Sequence, residues 1–165
     1  MAKHPAKLDL GDYLPYLVNR VGTIIAEQFG ADALARHGLS IAEWRVLAVL
    51  ASNGGQRQID LADLTSTEAS TLSRLVTRLV RTGLATRTRS ASSNREVVVK
   101  LSAKGQALVA RLIPIARDYE AAAIAGISAS ELAALKRCLR RMFGNMKNRN
   151  VARMSEATSG DDRAA

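Results

Sequence analysis

The chain of 165 residues contains one cysteine, six aromatic residues and no long apolar run. A single cysteine cannot form an internal disulfide, which fits a reducing cytoplasm. Six aromatic side chains provide few platforms for stacking unpaired bases, which disfavours a single-strand-binding protein. No apolar run approaches the roughly 18 residues of a membrane span, and the N-terminus lacks the apolar stretch of a signal peptide. These absences predict a cytoplasmic protein with an aliphatic core and no membrane partner.

Side chains for catalysis or metal binding are also sparse in the sequence. The two histidines, His4 and His37, are far apart, and no cysteine or histidine spacing accompanies them, which disfavours a metal centre. No Ser/His/Asp arrangement, phosphate-binding glycine loop or paired-carboxylate site is evident. We therefore predict a protein that is not an enzyme and needs no cofactor.

Positive charge is what the chain has in excess. It carries 24 Lys and Arg against 15 Asp and Glu, a net charge of +9, which points to a polyanionic partner. Residues 68–104 hold eight basic side chains and two acidic ones, and so carry six of the nine net charges. This concentration in under a quarter of the chain favours DNA.

Residues 67–83 (TEASTLSRLVTRLVRTG) carry the pattern around which the chain is organised. Leu72, Leu75, Val76, Leu79 and Val80 recur at helical spacing, which predicts a helix with one buried face. The rest of its surface holds hydroxyls and guanidinium groups, which hydrogen-bond phosphates and guanine. These side chains are Ser70, Ser73, Arg74, Thr77, Arg78 and Arg81. The alternative is an ordinary solvated helix, whose surface usually mixes both charge signs.

The neighbouring segments predict a winged helix-turn-helix. A short helix over about residues 58–64 is joined to the DNA-facing helix by about three residues, as in a helix-turn-helix. Residues 84–90 and 95–101 flank an ASSN turn and are rich in β-branched side chains, which predicts a basic β-hairpin in the position of a wing. Before them, Ser40 and Glu43 form a capping box at the start of another helix.

Long helices with apolar stripes flank this lobe. Residues 12–35 predict one long helix or a helix that breaks near Gly30. After residue 102 a helix containing Pro114 is expected, kinked by the proline. A last helix follows a capping box of Ser128 and Glu131. Because a lobe of roughly 60–70 residues does not need these helices for its core, we expect them to form a dimerisation layer.

The predicted fold is mainly α with a small β-hairpin wing (α+β), a winged helix-turn-helix with N- and C-terminal dimerisation helices. Its parts are a mobile arm (1–9), a single domain (10–147) with dimerisation helices (about 10–36 and 103–147) and a DNA-binding lobe (about 40–101), and a disordered tail (148–165).

Three segments resemble the MarR family of bacterial transcription regulators: GLSIAEWRVLAVL (38–50), DLADLTSTEASTLSRLVTRLVRTGLATR (60–87) and NREVVVKLSAKGQAL (94–108). The resemblance implies a triangular dimer of winged-helix subunits, held together by the terminal helices. It also implies that Ser70, Thr71, Ser73, Arg74 and Arg78 face the major groove, and that Arg95 at the wing tip reaches towards the minor groove. Where the family often has an acidic residue two positions before the wing arginine, this chain has Ser93. We expect a wing that is more mobile or contacts DNA less tightly.

The resemblance further implies a small aromatic or anionic effector, bound between the dimer helices and the DNA-binding lobe. It places Arg20, His37, Trp44 and Arg45 near that cleft, where an arginine could pair with a carboxylate and Trp44 could stack on a ring. The alternative is that Trp44 belongs to the core and that both arginines are solvated or salt-bridged.

Cys138 raises the question of oxidant sensing, because some relatives sense oxidants through cysteine. Its place on an apolar stripe between Leu135 and Leu139 favours a buried, packed thiol. Arg137 and Arg141 would favour the reactive thiolate if the side chain were exposed, so the sensing role stays open.

These patterns predict a homodimeric, sequence-specific transcription regulator, most simply a repressor, that reads a pseudo-palindromic operator in double-stranded DNA. Two alternatives stay open. One is a sequence-tolerant architectural DNA-binding protein, which a ratio of affinities for operator and random DNA would separate from the regulator. The other is an effector- or partner-binding module that no longer binds DNA.

Overall fold

A computed structural model describes residues 7–89 and 97–161, with side-chain placement for residues 7–88 and 97–149. The elements in chain order are α1 (Leu14–Phe29), α2 (Ile41–Asn53), β1 (Gln56–Arg57), α3 (Gln58–Thr65), α4 (Ala69–Arg81), β2 (Ala85–Arg89), β3 (Val97–Leu101), α5 (Ala103–Ala123) and α6 (Ala129–Asp161). The chain divides into two compact units, Met1–Ala123 and Ile124–Ala165. Among the described helices, none combines the length and apolar character that crossing a bilayer requires.

The first helix is interrupted, as one of the two predicted alternatives has it. α1 gives way to a single π-helical turn, Gly30–Leu34, and then to a 3₁₀ turn, Ala35–His37. Gly38 ends the segment with φ 62°, a left-handed conformation that glycine adopts without steric cost. Residues 1–6 of the predicted N-terminal arm lie outside the described residues.

The predicted hairpin is confirmed, but the sheet has a third strand. β2 and β3 pair antiparallel from Ala85↔Leu101 to Arg89↔Val97. β1 pairs with the other edge of β3, so the order is β1-β3-β2. A strand of two residues has no periodic pattern, so β1 could not be predicted from the sequence. The predicted turn over residues 91–94 lies outside the described residues.

The core of the first unit is aliphatic, as predicted, and α4 contributes its apolar stripe to it. Leu72, Val76 and Leu79 are buried there together with side chains from α2, α3, β3 and α5. Three of the six aromatic side chains pack together in this unit. Phe29 meets Trp44 edge-to-face, with ring centroids 5.3 Å apart, and meets Tyr119 at 5.8 Å.

A glycine brings the start of α5 against the end of α4. A Cβ at Gly105 would lie 2.0 Å from the Leu84 carbonyl oxygen, so no larger residue fits this approach. The Ser102 hydroxyl donates to the Gly83 carbonyl at 2.6 Å and accepts from the Gly105 N–H at 3.0 Å. The first turns of α5 therefore lie beside the loop that ends α4.

The second unit contains α6, and two predictions about it need comment. The capping box is confirmed, with Glu131 Oε2 accepting from the Ser128 N–H at 2.9 Å. α6 continues to Asp161, whereas a disordered tail was predicted from residue 148. That stretch has no proline and has a glycine only at residue 160, so its composition permits a helix.

The prediction that the Cys138 thiol is buried and packed is wrong. Cys138 is exposed, and so are its apolar neighbours Leu135 and Leu139. The physical reason is that α6 is the one helix described in its unit, so no other helix of that unit covers its apolar stripe.

Candidate nucleic-acid interface and adjoining cleft

α4 presents its polar side chains to solvent opposite the buried stripe. Ser70, Arg74 and Thr77 are exposed, whereas Thr71 and Ser73 are half-buried at the flank. We call these five residues the recognition face. The helical period of 3.6 residues separates them from the buried leucines and valine, because residues three or four apart share one face. The recognition face therefore offers hydroxyls and one guanidinium group to an external partner.

Glu68 caps the N-terminal end of α4. Its Oε2 accepts from the Thr71 N–H at 3.2 Å and from the Ser70 hydroxyl. The bond from the Ser70 hydroxyl, followed by the backbone N–H bonds of Ser70 and Thr71, lowers the pKa of Glu68. The cap is therefore a carboxylate at neutral pH.

Arg74 is held loosely. Its Nη2 donates to Thr71 Oγ1 at 3.2 Å, an exposed contact one helical turn away. Exposed hydrogen bonds of this kind exchange readily with water and are weak in net terms. The guanidinium group is therefore available to a base or a phosphate.

Arg78 is held firmly by groups at the start of α2. Its Nε lies 2.9 Å from Glu43 Oε1, and its Nη2 donates to the Gly38 carbonyl at 2.8 Å. The Glu43 side chain is 1% exposed, whereas that of Arg78 is 52% exposed. The structure shows that Arg78 ties α4 to the N-terminal end of α2; its predicted contact with the major groove stays a prediction.

Glu43 caps α2 and pairs with Arg78, and only the cap was predicted from the sequence. The predicted capping box is confirmed: Oε2 accepts from the Ser40 N–H at 2.8 Å, and the Ser40 hydroxyl accepts from the Glu43 N–H at 3.2 Å. The other oxygen, Oε1, forms the ion pair with Arg78 without an aligned hydrogen bond. No local spacing links residues this far apart, so the pairing gave no sequence signal.

Arg87 connects the wing to the middle of α4. Its Nη2 donates to the Ser73 carbonyl at 3.2 Å and to Thr77 Oγ1 at 3.0 Å. The sequence identified Arg87 only as one of several basic hairpin residues. Arg95 and Ser93, predicted at the wing tip, lie outside the described residues, so their roles stay predictions.

A cleft of about 350 Å³ opens beside the C-terminal end of α4. Its lining combines apolar, basic and acidic side chains from α2, α4, α5 and the segments that precede α2 and follow α4. The apolar ones are Leu39, Leu84 and Leu108, the basic ones are His37, Arg78, Lys104 and Arg111, and the acidic one is Glu43. Lys104 Nζ donates to the Thr82 carbonyl at 2.9 Å. Arg111 is exposed and has no hydrogen bond or ion pair with a described residue.

The four predicted ligand residues do not meet in one pocket of this chain. His37 lines the cleft, whereas Arg20 lies over the Tyr16 ring, 5.6 Å from its centroid, beside a groove formed by α1 alone. Trp44 packs against Phe29, and Arg45 is exposed on α2. The cations that do gather, Arg78, Lys104 and Arg111, come from two helices, and no spacing in the sequence brings them together.

Comparisons with known proteins identify the family of the chain. A sequence model of the MarR family matches residues 37–96. The HTH-type transcriptional repressor Rv2887 of Mycobacterium tuberculosis is 30% identical over 129 residues, which cover 78% of this chain and 92% of the repressor.

Two solved structures show the same fold. A MarR family transcriptional regulator from Silicibacter pomeroyi superimposes with a TM-score of 0.78 at 30% identity, over 84% of this chain and 93% of that one. BpsR of Bordetella bronchiseptica, whose DNA binding is regulated by 6-hydroxynicotinic acid, superimposes with a TM-score of 0.67 at 24% identity. That match covers 78% of this chain and 97% of BpsR, and it supports the fold alone. The winged helix-turn-helix and these similarities together show that the chain belongs to the MarR family of transcriptional regulators.

Proposed function

We propose that this protein is a homodimeric repressor that binds double-stranded DNA in the cytoplasm and reads a pseudo-palindromic operator. The observation that carries the proposal is the recognition face of α4. It is the exposed side of the second helix of a helix-turn-helix, the element that enters the major groove in this motif. Because the chain belongs to a family of transcriptional regulators, DNA binding by α4 is expected to regulate transcription.

The chemistry of the recognition face suits base reading. Arg74 carries the guanidinium group of the recognition face and makes one exposed hydrogen bond there, and arginine binds the O6 and N7 of guanine with two parallel hydrogen bonds. Ser70 and Thr77 offer hydroxyls that can bond to bases or phosphates. We assign Arg74 to base reading and the hydroxyls to positioning.

Each unit of the chain carries an apolar helix face that supports dimerisation. On α1 the exposed apolar side chains are Leu14, Leu17, Val18, Val21 and Ile24. On α6 they are Leu135, Leu139, Phe143 and Met146. Contiguous apolar surface of this kind marks interaction sites. A dimer also suits operator reading, because two recognition helices then meet half-sites about one helical turn of DNA apart.

A small anionic effector completes the proposed function. The cleft beside α4 gathers basic side chains on apolar walls, which suits a molecule with a carboxylate and an apolar body. The regulation of BpsR by an aromatic carboxylic acid gives a precedent within the fold. An effector changes DNA affinity only if it binds the DNA-competent and DNA-free states unequally.

Selection of bound fragments from a random duplex library, at about 0.15 M salt to keep phosphate-only binding weak, tests the proposal. The expected result is a two-fold symmetric motif with half-sites about ten base pairs apart. Bound DNA without a shared motif would favour the architectural protein. No recovered DNA would favour a module that does not bind DNA.

A further inference from the structure

We propose that one side of α6 binds the phosphate backbone of double-stranded DNA, in addition to the contact that α4 makes with the operator. We call this side the basic arc, and its members share a long basic side chain exposed to solvent. They are Lys136, Arg137, Arg140, Arg141 and Lys147. The binding depends on charge and not on base sequence, and it rests on the proposed function only in taking DNA as the polyanion.

The helical period separates the basic arc from the apolar side chains of α6. At 3.6 residues per turn, the five members of the arc fall within about 140° of the helix circumference. The exposed apolar side chains occupy about 80° elsewhere on the circumference. They are Leu135, Leu139, Phe143 and Met146. DNA can therefore contact the basic arc while a second subunit covers the apolar side.

The charge of this part of α6 has one sign. Residues 132–149 contain six basic and no acidic side chains. Lys136 and Arg140 are four residues apart, and so are Arg137 and Arg141, a spacing at which like charges on a helix repel each other. The surface of a merely solvated helix usually mixes both signs. An anionic partner would relieve this repulsion, which favours a polyanion on the basic arc.

The arginines of the basic arc are available to such a partner. Arg137, Arg140 and Arg141 have no hydrogen bond or ion pair with another described residue. Glu131, the acidic residue that precedes the arc, caps the helix instead. Its Oε2 accepts from the Ser128 N–H at 2.9 Å and from the Ser128 hydroxyl at 2.5 Å. Three guanidinium groups are therefore left to bind phosphates.

The length and the side-chain types of the basic arc fit duplex DNA. From Lys136 to Lys147 the helix rises about 17 Å, a length that spans about five phosphates of each DNA strand. Arginine and lysine bind phosphates without reading bases. The arc has no aromatic side chain, which a single-strand site would need for stacking. A membrane-surface helix buries its apolar face, and on α6 that face is assigned to the dimer.

The salt dependence of binding to a random duplex of about three helical turns tests the basic arc. The full chain is titrated by fluorescence anisotropy between about 0.05 and 0.2 M salt. Arg137→Gln combined with Arg141→Gln removes two charges from the side of α6 that lies farthest from the apolar side chains. We expect the slope of log affinity against log salt to fall in magnitude by about two, because each phosphate contact contributes about one. The size-exclusion elution of this variant should match the wild type.

Two controls separate the basic arc from net charge alone. Arg137→Lys combined with Arg141→Lys keeps both charges and should keep the wild-type slope, because lysine binds phosphate as a point charge. Arg36→Gln combined with Arg117→Gln removes two charges from exposed residues outside α6 and should also keep the slope. An unchanged slope in the glutamine variant of the arc, or an equal fall in the control outside α6, would overturn the proposal.

An anionic membrane surface is the alternative partner of a basic helix. Co-sedimentation with phosphatidylserine vesicles tests it with the same variants. If the glutamine variant of the arc loses vesicle binding while its DNA slope stays unchanged, the proposal is overturned and the arc is assigned to a membrane.

Selection of duplex fragments separates this inference from the proposed function. The glutamine variant of the arc should select the same motif as the wild type, because the recognition face reads the bases. If the wild type selects no motif, the proposed function fails, and the slopes on the random duplex still decide the arc. If the wild type selects a motif and the slopes agree, the arc fails and the proposed function stands.

Discussion

The two ends of α4 carry similar side chains but are held in different ways. At the N-terminal end, Arg74 makes one exposed hydrogen bond, to a hydroxyl on its own helix. At the C-terminal end, Arg78 contacts a buried carboxylate and a backbone carbonyl from another part of the fold. Both arginines belong to the same repeated pattern in the sequence, yet only their surroundings decide which one is free.

One helix can therefore be both a DNA-reading surface and part of the scaffold. A base-reading side chain must be free before DNA arrives, since any internal partner competes with the base. The helix itself must be fixed, because readout depends on its angle in the groove. In this account the N-terminal half of α4 reads DNA, and the C-terminal half sets its position.

The largest expected effect comes from removing the restraint at the C-terminal end. Arg78→Ala leaves Glu43 buried without its cation, and should lower the free energy of unfolding by about 2–3 kcal/mol. Urea unfolding measures this change. The matched control is Arg81→Ala on the same helix, an exposed arginine with no described partner, which should stay within about 0.5 kcal/mol of the wild type. Equal losses in both variants would remove the special role of Arg78.

The next largest effect is expected at Arg74, and it concerns DNA affinity rather than stability. Arg74→Ala should weaken binding to the selected operator by about 1–3 kcal/mol, the usual value of a bidentate contact to guanine. Its urea unfolding should match the wild type, because the one hydrogen bond that it loses is exposed. Mobility-shift titrations at fixed salt measure the affinity. Unchanged affinity would show that Arg74 does not touch the operator.

A smaller effect is expected where the wing meets α4. Arg87→Ala removes the bonds to the Ser73 carbonyl and Thr77 Oγ1, both exposed, and should cost about 1 kcal/mol or less in stability. Thr77→Val removes one of these acceptors and also the bond that Thr77 Oγ1 donates to the Ser73 carbonyl at 2.8 Å. Because both variants remove the bond between Arg87 and Thr77, the stability loss of the double variant should be smaller than the sum of the two single losses. Strictly additive losses would contradict the bridging role.

The smallest effect concerns the cap of α4 and depends on pH. The pKa of Glu68 in the folded protein lies below its usual 4.5, so the charged cap stabilises the fold above that pH. The stabilisation is lost as the pH falls through the folded pKa. The thermal midpoint of the wild type should therefore exceed that of Glu68→Gln at pH 7, and the difference should shrink in acid.

Ser70→Ala sharpens this test, because the Ser70 hydroxyl makes the largest contribution to the lowered pKa of Glu68. The difference in thermal midpoint between the proteins with Glu and with Gln at residue 68 should be smaller when Ser70→Ala is also present. If the difference in thermal midpoint is the same at every pH, with and without Ser70→Ala, then the charge on Glu68 does not stabilise the fold.

Features with a local pattern could be predicted from the sequence. The stripe of α4, the capping box at Ser40 and the β-hairpin each depend on residues a few positions apart, and the structure confirms all three. The unpredicted features join distant residues: β1 to β3, Arg78 to Glu43, and Arg87 to α4. Spacing along one helix identified its polar side chains, but it could not show which of them the rest of the fold engages.

Duplex selection with the wild type, Arg74→Ala and Arg78→Ala side by side tests the different roles of the two arginines. We expect Arg74→Ala to lose its preference at one base position of each half-site while keeping wild-type stability. We expect Arg78→Ala to keep the wild-type motif and to bind it more weakly, because its helix is less firmly held. A changed motif in Arg78→Ala together with an unchanged motif in Arg74→Ala would contradict the division of α4 into a reading end and an anchored end.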